Sequence, residues 1–92
     1  MLPILWRASA RDDLAEIIGY IALENPPAAR RLKRLLEASV LPAAEHPYLY
    51  PQSERLPGLR EIVAHPNYLV LYRVTAACIE VLTVIHARRE FP

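Results

Sequence analysis

The sequence predicts an α+β fold: an antiparallel sheet with a helical hairpin packed on one face, in the order β-α-α-β-β-β. Three observations lead to it. Asn67 to Val74 and Ile79 to His86 are two runs rich in β-branched, aromatic and aliphatic residues, joined by the small residues around Ala76-Ala77. Runs of that composition at strand length read as a β-hairpin. Between Ser9 and Val40 the apolar residues recur at helical spacing and are interrupted only at Pro26-Pro27. Finally, 92 residues suffice for one two-layer core but not for two, so 1–92 reads as a single domain. An all-helical chain is excluded by residues 59–86.

The first strand is Leu2 to Arg7. Pro3 removes a ladder donor there, which suits an edge position. Ser9-Ala10-Arg11-Asp12 follows as a variant capping box, and Leu14, Ile17, Ile18 and Ile21 form the apolar stripe of the first helix. That helix stops near Asn25, which reads as the cap of a second helix beginning at Pro26. Ala28, Leu32, Leu35, Leu36 and Val40 make its buried stripe, and Arg30, Arg31, Lys33, Arg34 and Glu37 its polar side. Pro42 ends or kinks it. Glu45 to Gly58, with three prolines and the tyrosines Tyr48 and Tyr50, reads as a loop. Leu59 to Val63 is a strand that turns at His65-Pro66-Asn67 into the hairpin.

If Thr75 and Cys78 close a two-residue loop, Arg73 falls opposite Glu80, Tyr72 opposite Val81 and Leu71 opposite Leu82. Arg73 and Glu80 then form a favourable cross-strand pair. The same register puts Tyr68, Val70, Tyr72, Val81 and Ile85 against the helices. Leu69, Leu71, Leu82 and Val84 are left on the far face, which would be partly open. An open apolar face on a small protein marks a partner site.

Composition narrows the function classes. The formal net charge is only +1, so no strong field for nucleic acid exists, although arginines outnumber lysine ten to one. The apolar content of 53% and mean hydropathy of +0.11 are high for so short a chain and suit a surface kept for a partner. One cysteine, Cys78, excludes an internal disulfide and fits a reducing, cytoplasmic setting. No apolar run approaches the ~18 residues of a membrane span, and the start lacks the pattern of a signal peptide. There is no metal-ligand spacing and no Gly-rich phosphate loop, so no cofactor is expected.

The order of elements, together with Asp13-Leu14, Tyr20-Ile21, Leu59-Arg60-Glu61, Asn67-Tyr68, Tyr72-Arg73-Val74, Ile79-Glu80-Val81-Leu82 and His86-Ala87-Arg88-Arg89, resembles the RelE/ParE superfamily of bacterial type II toxins. The resemblance implies a cognate antitoxin as partner and one of two targets. RelE-like members cut messenger RNA on the ribosome; ParE-like members poison DNA gyrase without a recognised active site. Where RelE proper carries an arginine this chain has Leu69, and its late tyrosine has no counterpart at Phe91-Pro92. Cleavage through the 2′-hydroxyl needs a base and a cation. For that the chain offers His86, Arg88 and Arg60, with His65 and Arg89 nearby in sequence. The ParE-like reading is therefore preferred, an inhibitor acting by binding, with the ribosome-dependent nuclease as the alternative. Arg60, Arg73, Leu69, Leu71, Leu82, Arg88 and Arg89 are the candidate contacts to target or antitoxin. The simpler readings stand beside these: His86 bonded to backbone, Arg88-Arg89 a solvated tail, and Arg60-Glu61 a surface ion pair.

Overall fold

A computed structural model describes residues 1–88. Its elements run β1 (Ile4–Trp6), α1 (Ala8–Ala22), α2 (Pro26–Ala38), α3 (Leu41–Glu45), β2 (Arg60–His65), β3 (Tyr68–Val74) and β4 (Ile79–His86). The strands lie in the order β1-β4-β3-β2. The α+β class and the helical hairpin are as the sequence predicts. The sheet, however, is mixed: β3 pairs antiparallel with β2 and β4, whereas β1 joins β4 in parallel. A three-residue strand carries no pattern that reveals its direction.

The helical hairpin is built at its joint. Asn25 caps α2, its Oδ1 accepting the amide of Ala28 at 3.1 Å, and Pro26 follows in the first turn, where a missing N–H costs nothing. Leu14 of α1 and Leu32 and Leu36 of α2 are buried. With Val40, Ile62, Val70, Tyr72, Ile79, Val81 and Val84 they form the main core between helices and sheet. Leu32, Leu36 and Val40 are buried as the stripe predicts, whereas Ala28 is half-buried beside the buried Ala29 and Leu35 is exposed. Pro42, rather than breaking α2, opens the short α3, because α2 already ends at Ala38.

Two details reshape the sheet. The turn closes as expected, with the Thr75 amide donating to the Cys78 carbonyl at 2.9 Å. The Thr75 hydroxyl also accepts from the amides of Ala77 and Cys78, which gives Ala76-Ala77 its turn without Gly or Asn. Arg73 faces Glu80 and Tyr72 faces Val81, but Leu71 faces Thr83. Leu82 is thus the extra residue of a β-bulge, and beyond it every β4 side chain changes face. Val84 therefore meets the helices, while Ile85 joins Leu69 and Leu71 on the far side. Helix α1 holds the bulge in place. The Ser9 hydroxyl donates to the Leu82 carbonyl at 2.6 Å. Asp13 Oδ2 accepts from the Thr83 hydroxyl at 2.6 Å and the Val84 amide at 3.2 Å. Ser9 is consequently not a cap; Arg7 occupies the N-cap position and makes no side-chain cap bond.

The far face is not open. Leu56 and Leu59, from the irregular segment between α3 and β2, pack over Leu69, Leu71 and Ile85. Arg55 ties this lid to both sides, donating to the Ala87 carbonyl at 3.0 Å and pairing with Glu61 at 3.2 Å. Gly58, with φ of 84°, makes the left-handed turn back into β2 that a Cβ would oppose.

Candidate functional site

At one end of the sheet, β2, β3 and β4 bring His65, Tyr68 and His86 together. The Tyr68 ring lies 5.7 Å from that of His65 and 5.3 Å from that of His86, edge-on to the latter. Each histidine spends its Nδ1 locally. That of His65 accepts the Asn67 amide at 3.0 Å, and that of His86 accepts the Arg88 amide at 3.1 Å. In the neutral ring an accepting Nδ1 places the proton on Nε2, so the outward nitrogen is a donor and not a base. Beside His86, between α1 and the sheet, lies a cleft of about 340 Å³ whose polar lining is Asp13, Glu16, Tyr20, Tyr68 and His86. Arg88 is exposed next to it, and Arg89 lies outside the described residues.

The other candidates sit elsewhere. Arg60 is paired across to Tyr72, four residues along β3 from Tyr68, which is roughly 14 Å at strand spacing. Its Nη1 donates to the Tyr50 carbonyl at 2.8 Å, and its guanidinium lies 4.9 Å from the centre of the exposed Tyr48 ring. It makes no pair with Glu61, which serves Arg55 instead. Adjacent strand residues point to opposite faces, so an Arg60–Glu61 pair is disfavoured from the start. Tyr50 belongs to the core edge: its hydroxyl donates to the Ser39 carbonyl, and its ring meets that of Tyr72 edge-on at 6.2 Å.

At the turn end of the hairpin, Glu80 is the one buried charged residue among the described residues. Arg73 grips its Oε1 with Nε at 2.8 Å and Nη2 at 2.7 Å, while Arg7 Nη1 stands 3.7 Å from Oε2. Both arginine side chains remain about half exposed. Residue by residue, then, the expected contacts divide. Arg60, Arg73 and Arg88 are accessible to different degrees; Leu82 is half-buried at the bulge. Leu69 and Leu71 are buried under the lid and meet no partner while it is closed. Ser9, Asp13 and Arg7 were not among the expected site residues. Ser9 stood out only as a helix cap, and Asp13 only within the stretch Asp13-Leu14.

Comparison with known proteins gives a consistent picture. The family model described as ParE toxin of type II toxin-antitoxin system, parDE, matches residues 4–91. The chain is 33% identical over 91 residues to Toxin RelE2 of Caulobacter vibrioides, covering 97% of this chain and 99% of that one. It is 34% identical over 90 residues to Putative toxin Y4kP of Sinorhizobium fredii, covering 97% and 92% respectively. Among solved structures, it is similar in fold to the chromosomal ParDE TA system from P. aeruginosa. There the TM-score is 0.81 at 19% identity, covering 94% of this chain and 96% of that one.

Proposed function

Because the chain belongs to the ParE toxin family of type II toxin–antitoxin systems, we propose that it arrests growth by binding and poisoning DNA gyrase and is neutralised by a cognate antitoxin. What supports this choice of target is the separation of Arg60 from the end of the sheet that holds His86 and Arg88. His86 and Arg60 belong to positions four residues apart on β3, and Arg73 is one step further. A general base and a phosphate-holding cation must meet within hydrogen-bond reach of one ribose phosphate, and strand spacing sets His86 roughly 14 Å along the sheet from Arg60, leaving Arg88 as the cation near it. Leu69, which stands where the RelE-like resemblance implies an arginine, is buried beneath Leu56 and Leu59. Inhibition by surface binding needs none of these groups to converge.

One feature favours the second reading, a ribosome-dependent messenger-RNA endonuclease: His65, Tyr68 and His86 cluster beside the exposed Arg88. A split assay separates the two. Purified protein is expected to inhibit gyrase supercoiling, or to trap its cleaved DNA, and to leave translated message intact. Site-specific cuts in message on ribosomes, abolished by His86→Ala, with gyrase unaffected, would reverse the assignment.

A further inference from the structure

The charged triad at the turn end of the hairpin is not explained by the fold alone. Glu80 is 6% exposed, so its carboxylate is taken out of water and has to be compensated. Arg73 supplies that compensation by itself, through two short bonds to one oxygen. Arg7 adds a second positive charge at the longer distance of 3.7 Å, so the triad carries net charge +1 on a half-exposed surface. Its backbone is also fixed on this spot, the Arg7 amide donating to the Val81 carbonyl at 3.0 Å. Two guanidiniums thus flank one buried carboxylate, each with N–H donors that no described residue uses. Arg73, held by two short bonds to a buried partner, has already lost much of its rotamer freedom and so binds a second oxyanion at reduced entropic cost, while Arg7, 3.7 Å from the same carboxylate, brings a second positive charge to the spot.

We propose that Arg73, oriented by Glu80, and the neighbouring Arg7 form an oxyanion-binding site that takes a carboxylate side chain of the cognate antitoxin. The inference rests on the chain being the toxin of a toxin–antitoxin pair, and it adds the place and chemistry of one contact. Two observations favour a protein carboxylate over a nucleic-acid phosphate. The formal net charge of the chain is only +1, whereas affinity for a phosphate backbone comes from many cations acting together. Leu5, directly across from Glu80 in the β1–β4 pairing, is 47% exposed and offers an apolar contact beside the charge, the mixed surface of a protein interface.

Two variants test it. Arg7→Gln removes one guanidinium and only the long ion pair. The double variant Arg73→Gln with Glu80→Gln replaces the buried pair by neutral groups of similar shape, so that no unpaired charge stays buried. Titration calorimetry with the cognate antitoxin is run at two salt concentrations, with circular dichroism as folding control, and a fluorescent DNA duplex serves as the competing probe. Each folded variant is expected to lose roughly tenfold or more in antitoxin affinity, the scale of a charge-assisted hydrogen bond, and to show a weaker salt dependence. Unchanged antitoxin affinity in folded Arg7→Gln overturns the site, whether or not the double variant folds. Loss of duplex binding with antitoxin affinity intact overturns the carboxylate assignment in favour of a phosphodiester. Wild-type protein that binds no antitoxin at all overturns the toxin reading itself, a result distinct from failure of the site.

Discussion

Tyr72 offers a prediction in which the perturbation is one oxygen atom. Its side chain is fully buried at the centre of the sheet, and its hydroxyl donates to the Pro47 carbonyl at 2.7 Å. Tyr72→Phe keeps the ring and its edge-on contact with Tyr50, and deprives the Pro47 carbonyl of its donor. A part-buried acceptor so deprived costs about 1–2 kcal/mol, which for a domain of this size lowers Tm by roughly 5–15 °C. The pH dependence gives a second signature. Burial raises the Tyr72 pKa above its ordinary 10.0, opposed in smaller measure by the backbone at Tyr50 and the charge of Arg60. The fold thus favours the neutral phenol. The stabilisation this represents is complete below pH 10 and is lost as pH rises through the raised folded value. Urea unfolding of both proteins between pH 7 and 11 should show wild type more stable at neutral pH, with the gap closing above pH 10. Parallel curves across that range, or equal midpoints at pH 7, would refute the reasoning that the hydroxyl is both bonded and desolvated.

Three further substitutions test the packing. Leu36→Ala, at a fully buried position of α2, should cost ~2–5 kcal/mol by chemical denaturation; a midpoint that hardly moves would place α2 outside the core. Leu71→Glu should abolish cooperative unfolding, since Leu71 is fully buried beneath the lid; a folded variant would mean that the lid opens readily. Asp13→Ala should cost about 1.5–3 kcal/mol through loss of its bonds to Thr83 and Val84. It should also speed hydrogen exchange of the Val84 amide, and unchanged protection there would show that α1 does not hold the bulge.

What the sequence by itself determined was local. The helix joint at Asn25-Pro26, the turn at Ala76-Ala77 and the pairs Arg73–Glu80 and Tyr72–Val81 follow from short-range patterns, and all are present. So is the class of the fold, because residues 67–86 can only be strands and residues 9–38 only helices. The pattern also carried the family resemblance, which the comparisons bear out. What tertiary structure decided were relations between distant residues. The bulge at Leu82 has no compositional signal; it exists where Ser9 and Asp13, about seventy residues earlier in the chain, satisfy the backbone groups it frees. One extra residue then exchanged Val84 and Ile85 between faces, because strand side chains alternate with a period of two. The leucine face looked open since two helices cover only one side of a sheet. A proline-rich loop, by nature without periodicity, supplied Leu56 and Leu59 to close the other. Arg7 is likewise an ordinary surface residue in the sequence, and becomes the partner of Glu80 only because β1 runs parallel beside β4.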